Sequence, residues 1–251
     1  MIGAAIEERI ALMAPSRRLR MSLAERAIER FATGQPVRVL DAGCGDGLIA
    51  LALAKRHPSW TMVGMDLSAE LLAGARERAR NRRLANVSFL ETDLTKTLPE
   101  GGFDATIALE CLSEIPDDRA AIAAIAAAAR PGGLLVAQVP DRDWKPVLGG
   151  SSPVWRHEVR HGYTAAELDA MLAATGVEDI EVSPTYRATA AVAQELRDRI
   201  KDRSLALRAA AFPAMVAAAR LERMGITGGT ANAHFALARQ PLASDAHGTA
   251  L

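Results

Sequence analysis

The sequence predicts an α/β fold in which a doubly wound, mostly parallel sheet is covered by helices on both faces. From residue 37 onward, short apolar runs bounded by turn residues alternate with longer amphipathic stretches, a pattern typical of parallel strands joined by crossover helices. The apolar runs are continuous rather than alternating, which indicates strands buried on both faces. With 251 residues, 49% of them hydrophobic, the chain is long enough to bury such a sheet within one domain.

The central elements follow one another in a regular order. Apolar runs predict strands at 37–40, 60–65, 87–91, 105–109 and 134–139. Amphipathic stretches predict helices at 48–56, 69–80 and 119–129. The sequence Arg130-Pro131-Gly132-Gly133 is expected to end the last of these helices, because Pro and Gly interrupt helical structure.

Further elements are predicted on either side of this core. Helices are expected at 4–13 and 19–32, and Thr164 and Glu167 form a capping-box pattern at the start of a helix that follows a long loop, Asp141–His161. A strand at 178–182, a helical stretch at 188–224 broken near Phe212-Pro213, and a strand at 234–239 complete the pattern. We therefore expect one domain, 1–240, made of N-terminal helices (1–35), a core (36–183), a helical insertion (184–230) and a last strand (231–240), with a flexible tail at 241–251. The insertion is interpreted as a lid, a substrate wall, an oligomer contact or a mere decoration.

A glycine-rich turn follows the first predicted strand, with the sequence Asp41-Ala42-Gly43-Cys44-Gly45-Asp46-Gly47. Glycine permits positive φ angles and lets a ligand approach the main chain closely. The dinucleotide fingerprint Gly-x-Gly-x-x-Gly would need a glycine at position 48, where the sequence has Leu48. Because ligands of open α/β sheets bind at the carboxyl ends of the strands, the turn predicts a small-molecule site.

Two of the following strands end at an aspartate. Asp66 closes the second strand and Asp93 follows the third. A carboxylate at the first position can accept two hydrogen bonds from the vicinal hydroxyls of a ribose. Asp93 can accept from an exocyclic adenine amine, with Leu94 against the ring. The alternative for both acids is an ordinary turn residue, with Asp66 preceding the helix cap at Ser68.

Together with a fourth strand, Phe103-Asp104-Ala105-Thr106-Ile107-Ala108, and the Pro-Gly-Gly turn, these motifs resemble the class I S-adenosylmethionine-dependent methyltransferases over residues 36–183. The resemblance extends to the small-molecule and lipid enzymes of the ubiquinone-biosynthesis type. It implies a Rossmann-like, seven-stranded sheet with one antiparallel strand. It also implies S-adenosyl-L-methionine as the cofactor and S-adenosyl-L-homocysteine as the product.

The resemblance also implies the cofactor contacts. The three glycines would pass beside the methionine moiety, and Asp41 would lie near its ammonium group. The full set of expected cofactor-binding residues is Asp41, Gly43, Gly45, Gly47, Asp66, Leu67, Asp93, Leu94 and Glu110.

Candidate catalytic residues are Glu114, His157 and His161. Many relatives of the ubiquinone-biosynthesis type carry Glu-His after the fourth strand, whereas this sequence has Ser113-Glu114, so Glu114 could replace the histidine as a base or orient the acceptor. The two histidines belong to the long loop, and imidazole titrates near neutral pH. The alternatives are a polar helix-start residue at Glu114 and ordinary loop histidines.

Charge and motif content narrow the expected partners. The 30 basic and 30 acidic residues balance, and the Asn/Asp-Pro-Pro-Tyr/Phe element of nucleic-acid amino methyltransferases is replaced by Leu109-Glu110-Cys111-Leu112, so we expect no nucleic-acid partner. We expect a small-molecule acceptor of natural-product, quinone, lipid or sugar type, with O-methylation ahead of N- or C-methylation. The alternative is a non-methylating member of the fold that holds the cofactor structurally and catalyses another rearrangement, or acts as a binding partner. The two cysteines and the lack of a long apolar run favour the cytoplasm, without a transmembrane segment; no metal and a possible homodimer are also expected.

Overall fold

The computed structural model describes residues 15–149, 159–186, 188–200, 205–224 and 231–242. Seven strands form one sheet, namely β1 (Arg38–Ala42), β2 (Thr61–Asp66), β3 (Val87–Glu91), β4 (Phe103–Leu109), β5 (Ala129–Pro140), β6 (Glu178–Thr185) and β7 (Ala233–Arg239). The helices are α1 (Pro15–Ala32), α2 (Leu48–Arg56), α3 (Ala69–Asn81), α4 (Asp118–Ala128), α5 (Ala165–Ala173), α6 (Ala188–Ile200) and α7 (Leu205–Arg223). The predicted helix at 4–13 and the tail from 243 onward lie outside the described residues.

The strand order is β3-β2-β1-β4-β5-β7-β6. Neighbouring strands from β3 to β5 pair in parallel, whereas β7 pairs antiparallel with both β5 and β6. The predicted fold class, a doubly wound and mostly parallel sheet with one antiparallel strand, is therefore confirmed. This order places the carboxyl ends of β1 to β5 along one edge of the sheet.

Two hydrophobic clusters cover the two faces of the sheet. One contains Val39, Ile107 and Val136 of the sheet together with residues of α1, α2 and α3. The other contains alternate residues of the same strands, such as Leu40 and Leu135, with residues of α4 and α5. Because side chains alternate along a strand, the strands are hydrophobic on both faces, as their continuous apolar sequence predicts.

Polar side chains cap the N-termini of three of the helices. The Ser68 hydroxyl accepts a hydrogen bond from the main chain at the start of α3, and the Asp117 carboxylate does the same for α4. Thr164 and Glu167 form a reciprocal capping box at the start of α5, which confirms that prediction. Such caps stabilise a helix by about 1 kcal/mol each because they satisfy main-chain N–H groups that lack intrahelical partners.

The helix ends just before residues 130–133, as predicted, but these residues belong to β5 instead of forming a separate turn. Helix α4 ends at Ala128, and Ala129 already pairs with Phe103. The register then shifts between Phe103 and Ala105, and Gly132 has a φ of 71°. The two glycines thus permit an irregular start of the strand directly after the helix.

The expected break near Phe212-Pro213 is wrong. Helix α7 runs through Pro213 without interruption. An internal proline costs a helix about 3 kcal/mol through a lost hydrogen bond and a steric clash. Packing of α7 against α6 and α1 compensates for this loss. Among the described helices, none is both long and apolar enough to cross a membrane.

Helix α6 is also connected to the loop that follows β5. The carboxylate of Glu195, which is buried, accepts hydrogen bonds from the main-chain N–H of Val147 (2.7 Å) and of Leu148 (2.8 Å). Arg199 donates to the carbonyls of Leu148 (2.8 Å) and Gly149 (2.7 Å). The insertion therefore fixes the described part of this loop above the carboxyl edge of the sheet.

Candidate functional site

The glycine-rich turn lies at the carboxyl edge of the sheet, between β1 and α2. Gly43, Gly45 and Gly47 have φ angles of 68°, 53° and 70°, in the left-handed region that favours glycine. The main-chain N–H groups of Gly43 and Cys44 both donate to the carbonyl of Met65, at 2.8 and 3.0 Å. The turn is thereby fastened to the end of the neighbouring strand β2.

The three glycines have different surroundings. A Cβ added at Gly43 would lie 2.3 Å from the Cβ of Cys111, and one added at Gly47 would lie 2.7 Å from both Ala75 and Phe89. A Cβ at Gly45 would meet nothing within 4 Å. Two of the glycines are thus required by packing, whereas Gly45 leaves open space where a ligand can approach the main chain.

Asp66 contacts this open turn directly. Its Oδ2 accepts a hydrogen bond from the N–H of Gly45 at 2.7 Å, and its Oδ1 accepts from the N–H of Ser68 at 2.9 Å. A carboxylate offers about four acceptor positions, so acceptor capacity is left for a ligand. The turn role and the binding role are therefore compatible at Asp66. The next residue, Leu67, has an exposed fraction of 69%.

Asp93 lies on the loop after β3, beside the same edge. The N–H of Thr92 donates to the carbonyl of Asp66 at 2.9 Å, which places the two loops side by side. Asp93 itself is exposed, and its Oδ1 accepts from the N–H and the hydroxyl of Thr95, which lower the pKa of this carboxyl group. Leu94 is buried. The carboxylate of Asp93 is thus partly committed to its own turn.

Asp41 is the most perturbed acid at the edge. Its side chain is buried, and its Oδ2 has no hydrogen-bond partner among the described residues. Burial raises the pKa of Asp41 to about 7, Asp46 and Asp66 contribute in the same direction, and Arg20 opposes the shift. A buried carboxylate oxygen without a hydrogen-bond partner favours the approach of a cation.

Helix α1 crosses the edge and brings two arginines to it. Arg17 Nη1 lies 3.1 Å from Asp46 Oδ2, and Arg20 Nη1 lies 3.7 Å from Glu110 Oε2. Sequence reasoning missed both arginines, because α1 was interpreted only from its apolar residues. Their spacing of three residues on one helix face is the signal that could have identified them.

Glu110, which directly follows β4, has an unusual backbone. Its φ is 68°, although it is not a glycine. Its N–H donates to the carbonyl of Gln138 on β5 at 2.9 Å. Left-handed conformations of ordinary residues cost about 1–3 kcal/mol and cluster at functional sites. The strained backbone directs this acid into the region that Arg20 also reaches.

Two of the three candidate catalytic residues, Glu114 and His161, lie on segments that are joined by a hydrogen bond. Glu114 ends a short 3-10 turn, Leu112–Glu114, and is exposed. His161 is exposed as well, on the returning part of the long loop, which is joined to this turn by a 2.9 Å hydrogen bond from Val159 to the carbonyl of Ser113. His157 lies outside the described residues, so its role stays a prediction.

Both cysteines lie close to the turn but are suited to packing. Burial raises the pKa of Cys111 to about 12 and raises that of Cys44 further. Cys111 donates to the carbonyl of Ala42 at 3.3 Å. Because the thiolate is the nucleophilic form, these thiols are poor nucleophiles.

A separate cluster of possible metal ligands lies between α1 and α2. Glu25, Glu29 and His57 place ligand atoms within 4.8 Å of one another. Glu25 already forms an ion pair with Arg56 at 2.7 Å and a hydrogen bond with His57 at 2.8 Å. These contacts account for the cluster as a link between the two helices.

The chemistry of the edge suits a cationic ligand that carries hydroxyl groups. Three groups lie together: a buried carboxylate oxygen without a hydrogen-bond partner (Oδ2 of Asp41), an acid with spare acceptor positions (Asp66) and an open stretch of main chain (Gly45). The ammonium, sulfonium and ribose groups of S-adenosylmethionine match this set, because carboxylates stabilise cations and accept hydrogen bonds from vicinal hydroxyls.

Comparisons with known proteins agree with this geometry. Residues 39–133 match the sequence model of a methyltransferase domain family. The trans-aconitate 2-methyltransferase of Methylobacterium nodulans is 34% identical over 119 residues, which cover 47% of this chain and 44% of that protein. The chain thus spans about half the length of the curated relatives it matches.

Solved structures extend the likeness to most of the chain. The [4+2]-cyclase SpnF superposes with a TM-score of 0.57 at 27% identity, covering 87% of this chain and 81% of the cyclase. Phosphoethanolamine N-methyltransferase 2 of Haemonchus contortus, in complex with S-adenosylmethionine, gives a TM-score of 0.62 at 23% identity, covering 86% and 52%. The latter likeness shows the fold alone. The sheet order, the glycine turn and the match at 39–133 support a class I S-adenosylmethionine-dependent methyltransferase.

Proposed function

We propose that this chain transfers a methyl group from S-adenosylmethionine to a small-molecule acceptor, with oxygen as the accepting atom. One observation carries the proposal: the buried carboxylate of Asp41, whose Oδ2 has no hydrogen-bond partner among the described residues, lies at the same edge as the open main chain of Gly45 and the acid Asp66. Neither a structural core nor a solvated turn needs this combination. The family match at 39–133 supports it.

The cofactor-binding roles follow from the positions of these groups. Asp41 would hold the ammonium group, Gly45 would leave room for the methionine moiety, and Asp66 would accept hydrogen bonds from the ribose hydroxyls. Asp93 and Leu94, together with the exposed side chain of Leu67, would flank the adenine. When bound, the cofactor supplies the methyl group as an electrophile on a sulfonium leaving group.

The protein's own contribution is then mainly positioning. Correct alignment of two reactants can contribute on the order of 7–11 kcal/mol to lowering a barrier. Helix α1 packs against β4 and β5, and we place the acceptor at the carboxyl ends of these two strands. A hydroxyl acceptor must also lose a proton, for which Glu110, Glu114 and His161 are the candidate bases among the described residues.

Calorimetric titration with S-adenosylhomocysteine tests the cofactor half of this proposal. We expect Asp66→Asn to weaken binding about tenfold or more, because charge-assisted hydrogen bonds to the ribose contribute about 1.5–3 kcal/mol each. The matched control is Glu100→Gln, an acid that pairs with Arg38 near the amino end of β4, and it should leave the affinity unchanged. No binding to the wild-type protein at millimolar concentration would refute the proposal.

A non-methylating enzyme is the second candidate, and the likeness to the [4+2]-cyclase SpnF favours it. The two functions differ in the fate of the cofactor. Methyl transfer releases one S-adenosylhomocysteine for each acceptor molecule that is methylated. A rearrangement consumes its substrate and leaves S-adenosylmethionine intact. Quantifying both by mass spectrometry, after incubation with an extract of small metabolites, separates the two functions.

A further inference from the structure

The polar side chain of Gln138 is buried near the carboxyl end of β5. Its exposed fraction is 0%, and neither its Nε2 nor its Oε1 has the geometry of a hydrogen bond with a described group, although the amide lies close enough to the Tyr186 hydroxyl to act on the pKa of that group. A buried amide left in this state costs about 1–3 kcal/mol. Native proteins satisfy nearly all such groups through protein, water or ligand partners. Gln138 therefore indicates a partner that is absent from the protein core.

Strand geometry places Gln138 relative to the cofactor-binding residues. Val39, Ile107 and Val136 belong to the same hydrophobic cluster, so the residues two positions further along β1, β4 and β5 face the same side. These are Asp41, Leu109 and Gln138. Asp41 is level with Ile107 on β4 and Val136 on β5, so Gln138 lies two strands across and two residues further along, roughly 12 Å from Asp41 at about 4.8 Å between strands and 3.3 Å per residue.

This position corresponds to the acceptor side of the proposed cofactor site. Asp41 marks the ammonium end of the methionine moiety, and Glu110 lies between Asp41 and Gln138 along the edge, hydrogen-bonded to the carbonyl of Gln138. In the cofactor, only a short aliphatic chain separates the carbon that bears the ammonium group from the sulfonium. An acceptor that lies on the far side of the transferred methyl group, as seen from Asp41, therefore reaches β5.

Tyr186 extends the polar surface around Gln138. It is buried, and its hydroxyl donates to the carbonyl of Ser16 at the start of α1. Burial raises the pKa of Tyr186, and the nearby side chains of Arg20 and Gln138 partly oppose the shift. With its proton committed to Ser16, the Tyr186 oxygen offers only an acceptor to a ligand. Gln138 offers both a donor and an acceptor.

Charge decides which acceptor fits this surface. Asp41 and Glu110 are acidic, and Arg20 is the cation that lies near both. Of the two arginines that α1 brings to the edge, Arg17 is paired with Asp46 and Arg20 lies near two acids, so a further buried negative charge is costly. An uncharged group that both donates and accepts hydrogen bonds avoids this cost, and a hydroxyl group is the simplest example.

We propose that Gln138, assisted by Tyr186, is a specificity-determining residue that binds an uncharged, hydroxyl-bearing acceptor beside Glu110. The Gln138 amide donates to and accepts from acceptor hydroxyl groups, and the Tyr186 oxygen accepts a further hydrogen bond. This assignment rests on the proposed methyl transfer, and it excludes small carboxylates as the preferred acceptors.

The first test compares Gln138→Leu with the wild-type protein. Removing an amide that has no partner should raise the melting temperature by about 2 °C or more, because burial of an unsatisfied amide is relieved. The affinity for S-adenosylhomocysteine, measured by calorimetry, should change less than twofold. The matched control is Gln240→Leu, whose amide donates to the carbonyl of Ala126 outside the site and whose loss should lower the melting temperature.

A lower melting temperature for Gln138→Leu would overturn the inference, since it would show that the amide is bonded within the folded protein. Failure of the wild-type protein to bind S-adenosylhomocysteine would instead refute the proposed function. The two failures are thus distinguishable.

The second test addresses the acceptor class with defined probes. The protein saturated with S-adenosylhomocysteine is heated with catechol or myo-inositol, which are uncharged, and with trans-aconitate, which is anionic. We expect an uncharged probe to raise the melting temperature of the wild-type protein, and the increase to disappear in Gln138→Leu. Protection by trans-aconitate that disappears in Gln138→Leu would overturn the assignment of an uncharged acceptor.

Discussion

At the scale of single residues, the site depends on backbone conformations that few side chains tolerate. Gly43 and Gly45 both have positive φ angles, but only Gly43 also lies against a neighbouring residue, Cys111. Both glycines thus need a positive φ angle, but one is packed against a side chain and the other faces open space. Substitution by alanine separates the two effects.

We expect Gly45→Ala to lower the free energy of unfolding by only about 1 kcal/mol, because a left-handed alanine is strained but meets open space. Its affinity for S-adenosylhomocysteine should fall about tenfold or more, since the new methyl group occupies the space through which the ligand approaches the main chain.

Gly43→Ala should lower the free energy of unfolding by several kcal/mol, because its Cβ would overlap that of Cys111. Gly34→Ala is the matched control, with φ of 85° and open space away from the site. Chemical denaturation and calorimetry measure both effects; an unchanged affinity in Gly45→Ala would contradict the proposed binding mode.

At the scale of elements, the insertion has a definite contact with the loop after β5. The buried carboxylate of Glu195 accepts from two consecutive main-chain N–H groups, those of Val147 and Leu148. A carboxylate can accept both bonds at once, whereas a glutamine amide presents one oxygen and one NH₂ group. This contact favours a positioning role for the insertion over mere decoration.

We expect Glu195→Gln to increase the hydrogen-exchange rate of the Val147 and Leu148 amides about tenfold or more, because one of the two bonds is replaced by a donor–donor contact. Stability should fall by about 1–3 kcal/mol, while the affinity for S-adenosylhomocysteine changes little. Glu70→Gln, at an exposed position of α3, controls for the loss of charge. Unchanged exchange at both amides would show that the loop is held by other contacts. Hydrogen exchange with mass spectrometry provides the measurement.

At the scale of the whole molecule, local patterns made the sheet and its glycine turn predictable. The strands were continuous apolar runs, and the turn residues Gly43, Gly45 and Asp66 were adjacent to them in sequence. By contrast, Arg20, Gln138 and Tyr186 come from distant parts of the chain and meet only in the folded protein. Their roles depend on helix placement and on which face of a strand is covered, which short sequence patterns do not determine.

The burial of Asp41 in the folded protein predicts that the free energy of unfolding and the affinity for the cofactor depend on pH in opposite directions. The ordinary pKa of 3.8 for Asp41 is raised to about 7 in the folded protein. Between these values the folded protein binds more protons than the unfolded chain, so the Asp41 contribution to the free energy of unfolding decreases as the pH rises from about 4 to about 7. The loss is on the order of 4 kcal/mol at most, since one pKa unit corresponds to about 1.4 kcal/mol. Asp41→Asn should therefore remove much of this slope in denaturation measured at several pH values.

Cofactor binding should show the reverse trend, because an ammonium group stabilises the ionised carboxylate that burial disfavours. The affinity for S-adenosylhomocysteine, which keeps the ammonium group, should therefore rise as the pH increases through about 7 in the wild-type protein. In Asp41→Asn the affinity should be lower and nearly independent of pH over the same range. Calorimetry in buffers of different ionisation enthalpy measures the number of protons released on binding. The wild-type protein should release a fraction of a proton near pH 6. An equal pH dependence in both proteins would show that another group titrates and that the buried acid of β1 does not contact the ligand.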